Sequence, residues 1–302
     1  MNNTNPNLYA YNKYFEFIKN LFDSNNLPNS ILFSGENGIG KKNFLLHFLN
    51  FVHLNSQQQK NYLNCYSLES CDIISKIANN EQSNIRIVKK LDKSQNISID
   101  QIRDVINFCS YSAHGEKPRF VCIFNTEDLN FNSSNSLLKI LEQPPANTFF
   151  FLTRNSNEVI SSTILSRCFK MNIKFSESEK KLVFKKILQD FGIHDFNNSD
   201  IFNKFDTPGS MLNRIKYLME NSLINSSPIN IINFCLNDFK KNKNYNSLIF
   251  SAEFTKNFFF NKSVSTDKKN LYLYYKFAKK INEILKFNVD AISAINIIKK
   301  VA

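Results

Sequence analysis

The segment Gly35-Glu-Asn-Gly-Ile-Gly-Lys41 has the spacing G-x-x-x-x-G-K. Glycines at such positions let backbone N–H groups close around phosphate oxygens at a helix amino terminus, and the lysine adds a positive charge for the same anion. Gly35, Gly38, Gly40 and Lys41 are therefore the candidate phosphate-binding residues. The next position ordinarily carries Ser or Thr, whose hydroxyl holds Mg²⁺. Here it is Lys42, which puts a second cation where a metal would sit. The loop reads as one that has kept its shape and lost its hydrolytic chemistry, so neither a bound metal nor a resident nucleotide is expected.

Such a loop works only between a strand and a helix. Asn29–Phe33 is a short apolar run that predicts a strand leading into the loop. Phe44, Leu45, Phe48, Leu49 and Val52 mark the inner face of a helix from Lys42 to about Leu54. Upstream, Tyr14, Phe15, Ile18, Leu21 and Phe22 form a helical stripe. Further on, Ile85–Val88, Phe120–Phe124 and Thr148–Leu152 read as buried strands. Ser98 is a plausible cap for a helix whose buried face is Ile99, Ile102, Val105, Ile106 and Cys109. A helix over Leu129–Leu141 is ended by Gln143-Pro144-Pro145, because proline removes a donor and restricts its predecessor. From Phe175 onward the periodicity is helical, interrupted by a polar stretch at Asn221–Pro228 that reads as a linker.

Composition limits the alternatives. The chain has 302 residues, enough for two or three small domains, and its 42% hydrophobic content supports a packed core. Trp is absent and 30 Phe serve as the large aromatic residues. No run approaches the ~20 apolar residues of a membrane helix. The segment MNNTNPNLYAYNKYFEF lacks the basic start and apolar centre of a signal peptide, so a cytoplasmic location is expected. The six cysteines (65, 71, 109, 122, 168 and 235) are scattered and read as buried free thiols. Cys65 and Cys71 are too few for a structural zinc site, and His47, His53 and His114 have core, surface and loop readings; no zinc is expected. A net charge of +12 is consistent with a DNA-facing basic surface. It is equally consistent with compositional bias, since no Lys tract exceeds two residues.

Strand, helix, double proline, strand and the tripeptide Ser166-Arg-Cys168, in that order, resemble the AAA+ core of bacterial clamp loaders. Asn135-Ser-Leu-Leu-Lys139, Leu141-Glu-Gln-Pro-Pro145, Ile99-Asp-Gln-Ile-Arg103 and Ser166-Arg-Cys168 are most similar to the delta-prime family of DNA polymerase III. The resemblance implies an α/β fold: an AAA+ P-loop NTPase core with a parallel sheet over residues 1–172, a helical lid over 173–222 and an all-α collar over 223–302. It implies a hetero-oligomeric ring with clamp-loader ATPase subunits and a delta subunit. Through that ring the chain would meet the sliding clamp and primer–template DNA. It also implies that Arg167 points into a neighbour's ATP site as a trans finger, a role suited to a planar guanidinium that gives two hydrogen bonds to phosphate.

The chain departs from the active pattern in one direction. A working ATPase ends its second core strand in Asp-Glu, for the metal shell and for activating water. In register, Asn125 and Thr126 take those places; Glu127 and Asp128 come late and read as caps for the next helix. Thr153 or Asn155 takes the place that senses the γ-phosphate. No arginine stands near Gly209, where a second sensor belongs, and Arg214 lies further along. A subunit that scaffolds the polymerase III holoenzyme and does not hydrolyse ATP by itself is the resulting expectation. The alternatives are an ATP-hydrolysing gamma/tau-type subunit and an unrelated P-loop DNA-repair ATPase.

Overall fold

A computed structural model describes residues 6–68, 76, 81–91, 94, 96–110, 118–193, 206–224, 226–263 and 268–287. The chain divides into two compact units, residues 1–187 with Thr207–Gly209, and residues 188–206 with 210–302. Cys71, His114 and residues 288–302 lie outside the described residues.

The first unit is built on a parallel sheet. Its strands are β1 (Ser30–Gly35), β2 (Ile85–Val88), β3 (Arg119–Ile123), β4 (Thr148–Asn155) and β5 (Phe169–Asn172), in the order β2-β3-β4-β1-β5. The helices of this unit include α1 (Asn12–Asp23), α2 (Lys41–His53), α3 (Ser56–Cys65), α4 (Ile99–Ser110), α5 (Phe131–Glu142), α6 (Ser162–Arg167) and most of α7 (Glu177–Asp190). Successive strand side chains point to opposite faces, so the sheet has two cores. Ile31, Phe33, Phe120, Cys122 and Phe151 pack under α1–α3 with Phe15, Phe44 and Phe48. Leu32, Val121, Ile123, Phe150 and Leu152 pack under α4–α6 with Ile102, Leu137 and Ile164. Burial on both faces is why these strands read as continuous apolar runs.

The helix ends follow local chemistry. Ser98 caps α4 reciprocally with Gln101: each side chain accepts the other's backbone N–H, at 3.3 and 3.1 Å. α5 stops at Glu142, ahead of the double proline. The polar stretch after residue 55 contains α3, held by a capping box between Asn55 and Gln58 and anchored by Tyr62 against Phe15 and buried His47.

In the second unit, α8 (Pro208–Glu220, from Ser210 onward), α9 (Pro228–Asn242), α10 (Tyr245–Ser263) and α11 (Lys268–Phe287) share a core. Tyr217 and Leu218 of α8 lie in that core with Ile231, Phe239, Phe254, Phe259 and Phe277. The described residues of the stretch read as a linker, 221–224 and 226–227, lie between two helices that share this core. No described helix is long and apolar enough to cross a membrane.

Candidate functional site

The phosphate-loop segment joins β1 to α2 at the carboxyl end of the sheet, the edge at which open α/β sheets place ligands. Gly40 adopts φ 108°, and a Cβ there would also lie 3.3 Å from the Tyr11 ring. The backbone conformation thus demands glycine where α2 begins. Lys41 turns back onto its own loop, its Nζ donating to the Gly35 and Glu36 carbonyls at 2.8 and 2.9 Å. It is 8% exposed. Burial lowers its pKa to about 8, against the pull of Glu127 and Glu36.

The loop is pinned from several sides. Thr207 Oγ1 donates to the Asn37 carbonyl at 2.7 Å, and the Gly209 N–H donates to the Gly38 carbonyl at 2.9 Å. A Cβ on Gly209 would stand 2.6 Å from the Gly38 oxygen, so glycine is the residue that permits this approach. The Tyr11 hydroxyl donates to the Ile39 carbonyl, and Lys180 pairs with the Glu36 carboxylate at 2.5 Å. Lys42, at the position of the absent metal-binding hydroxyl, lies with its ammonium 5.5 Å from the centre of the Phe124 ring.

At the end of β3 the candidate positions are used structurally. Asn125 has φ 56° and donates its N–H to Thr153 Oγ1 at 3.0 Å. The Thr126 hydroxyl, buried, donates to the Thr153 carbonyl at 2.9 Å. Glu127 is not a cap for α5, as the sequence had suggested; Asn130 is, accepting the Ser133 N–H at 2.8 Å. The left-handed turn at Asn125 instead aims Glu127 at β4, where Oε1 accepts the Asn155 N–H at 3.1 Å. Its Oε2 is buried with no hydrogen-bond partner among the described residues. Burial raises the Glu127 pKa, opposed in part by backbone N–H groups and by Lys41. Sequence reasoning missed Glu127 as a neighbour of the phosphate loop; the signal available was the Asn before it, a residue that tolerates positive φ.

Arg214 is buried in the second unit against Asp206 and Glu253. Arg167, the last residue of α6, folds onto the end of α5. Its Nε and Nη2 both lie on Glu142 Oε1, at 2.8 and 2.5 Å. Its Nη1 donates to the Thr163 carbonyl at 2.9 Å.

Cys109, Cys122, Cys168 and Cys235 are buried free thiols. Cys65 departs from that reading: it is exposed at the end of α3, a helix whose buried residue is Tyr62.

The match to known proteins covers the same residues. A family model described as DNA polymerase III, delta subunit, matches residues 11–177, more than half of the chain. The chain belongs to this family. It is a clamp-loader family member with an AAA+ fold, and its family's setting is DNA replication. Among curated relatives, the gamma/tau subunit of DNA polymerase III from Mycoplasma genitalium is 27% identical over 208 residues, covering 69% of this chain and 32% of that protein. The delta-prime subunit from Haemophilus influenzae is 26% identical over 162 residues, covering 54% of this chain and 47% of that one. This clamp-loader member thus spans from a third to half of the length of these relatives. A crystal structure of a gamma subunit-related protein from Thermotoga maritima shares the fold, with a TM-score of 0.54 at 14% identity over 95% of this chain and 97% of that one.

Proposed function

We propose that this clamp-loader member is a delta-prime-type subunit that does not hydrolyse ATP and presents Arg167 to the ATP site of a neighbouring subunit. In this reading it takes its place in a cytoplasmic hetero-oligomeric ring with ATPase subunits and a delta subunit. The ring loads the sliding clamp onto primed DNA, and the helices beyond residue 223 supply the collar. No nucleotide or zinc is resident in it. The observation that carries the reading is the end of β3. Asn125 and Thr126 stand where the metal-orienting and water-activating carboxylates belong; the Asn125 backbone N–H and the Thr126 hydroxyl both donate to Thr153, and neither side chain is a carboxylate. A hydroxyl buried in a hydrogen bond to a carbonyl cannot take a proton from water at neutral pH. Lys42 in place of the metal-binding hydroxyl supports the same reading independently.

The ATP-hydrolysing reading keeps one specific observation: the gamma/tau relative matches at the same level of identity as the delta-prime relative. Two measurements separate the readings. The isolated chain should show no steady-state ATP turnover in Mg²⁺ buffer; a rate near the ordinary enzyme median of about 10 s⁻¹ would establish the gamma/tau reading. In the assembled ring, Arg167→Ala should leave assembly intact, slow hydrolysis at the adjoining site and depress clamp loading. Arg167→Lys should rescue poorly, because an ammonium lacks the planar fork.

A further inference from the structure

Arg167 and Glu142 end two helices that meet at their carboxyl termini. α5 must stop at Glu142 because Gln143 precedes Pro144 and Pro145. α6 is set by the Ser161 cap, whose Oγ accepts the Thr163 N–H at 3.3 Å. The two ends bring the arginine and the carboxylate together across a separation of 25 residues. One oxygen, Oε1 of Glu142, takes the whole side edge of the guanidinium, Nε at 2.8 Å and Nη2 at 2.5 Å. The opposite nitrogen, Nη1, is bound within α6 by the Thr163 carbonyl at 2.9 Å and by Ser166 Oγ at 3.3 Å. A guanidinium is planar and carries five N–H donors. Contacts on both sides of the plane's long axis fix its tilt as well as its direction. Nη2 keeps a second N–H that none of these contacts uses. The arginine side chain remains 32% exposed, so the guanidinium is not sealed inside the fold.

We infer that Glu142 is a positioning residue for Arg167. It holds the guanidinium by its side edge so that the distal N–H is pre-set toward an anionic oxygen supplied by another chain. This rests on the reading of Arg167 as a trans finger, and adds that the finger is oriented before assembly rather than recruited during it. Pre-orientation matters because a long side chain otherwise loses rotamer freedom when it binds. The carboxylate does not compete for the same donor, since it occupies the side edge and leaves the distal one.

The test uses complete rings in which the other ATP sites carry a substituted phosphate-loop lysine, so that turnover reports the site facing Arg167 alone. Native chain, Glu142→Ala, Glu142→Gln, Arg167→Ala and the Glu142→Ala/Arg167→Ala double variant are compared at matched assembly, after their melting curves are shown to coincide. Glu142→Ala should lower kcat by roughly 3- to 10-fold, in the lower part of the range for coupled contacts, with KM for ATP unchanged. Glu142→Gln, which keeps an acceptor oxygen, should recover part of the loss. In the double variant the Glu142 change should have no further effect, because its whole influence passes through Arg167. Full turnover or faster turnover by Glu142→Ala, with Arg167→Ala slow, would overturn the positioning role and leave the trans-finger reading standing. Full turnover by Arg167→Ala would remove both. A Glu142 effect that persists undiminished without Arg167 would show a structural role and overturn the inference.

Discussion

Arg214 and Asp206 face each other as a two-bond fork, Nη1 to Oδ2 at 2.6 Å and Nη2 to Oδ1 at 2.8 Å, with both side chains buried. Nε goes to Glu253 at 2.8 Å, and Asn257 donates to Asp206 at 3.2 Å. Burial alone would lower the arginine pKa, but the hydrogen bonds and charges of Asp206 and Glu253 outweigh it and the net direction is upward. The arginine nearest to a sensor position is thereby consumed inside the second unit. Removing it leaves a buried carboxylate uncompensated, which ordinarily costs roughly 3–5 kcal/mol. Arg214→Ala should lower the urea midpoint of the second unit accordingly. A midpoint within error of the native chain would show that the pair is not buried as described.

Lys41 should leave a mark on stability at alkaline pH. Its folded pKa of about 8 lies below the ordinary lysine value. Between pH 8 and about 10.5 the unfolded chain holds a proton that the folded chain has released, so stability from this group rises with pH across that window. Below it both states are protonated and the contribution is flat. Tyrosines and other lysines titrate in the same range, so the quantity to measure is the difference between the native chain and Lys41→Met. That difference should grow in favour of the native chain from pH 8 to 10, by on the order of 3 kcal/mol at most. A difference that stays level would mean that Lys41 is charged and solvated.

Gly209→Ala should detach the α8 start from the phosphate loop. The added Cβ meets the Gly38 oxygen at 2.6 Å, and neither backbone segment is the flexible end of a side chain. Overpacking of this kind costs roughly 1–3 kcal/mol. Differential scanning calorimetry should show a lower Tm; an unchanged Tm would mean that this contact does not form in solution.

Purified protein should carry no stoichiometric zinc. Among the described residues no group of three or more His, Cys, Asp or Glu side chains could hold a metal ion, and a structural zinc site needs four ligands. Cys65 is exposed and its thiol donates to the Asn61 carbonyl at 3.4 Å. Metal analysis giving near one equivalent of zinc would overturn this.

Much of the first unit was legible because its signals are local. Apolar runs such as Phe120–Phe124 mark strands buried on both faces, and the stripe Ile102, Val105, Cys109 marks the inner side of α4. β5 escaped because it is an edge strand with only Met171 buried, which leaves no periodic pattern to read. α3 escaped because its composition is polar, although Asn55 and Gln58 carried a capping-box signature.

The sequence by itself determined that a glycine-rich loop and a lysine sit between a strand and a helix. It also determined that Lys42 stands directly after Lys41, where a Ser or Thr hydroxyl ordinarily does, and that Asn125 and Thr126 directly follow the apolar run Phe120–Phe124. These are statements about residue type at fixed short spacing, and chain-local geometry is enough to make them. Only the tertiary structure decided where the remaining polar groups go: Glu127 to the Asn155 N–H, Thr207 to the Asn37 carbonyl across 170 residues, and Arg167 to Glu142. Such pairings depend on which chain segments the sheet order brings side by side, and on a single left-handed residue at Asn125 that redirects a strand end. No local pattern encodes them, because each partner satisfies its hydrogen bonds and charge only once the distant backbone is in place.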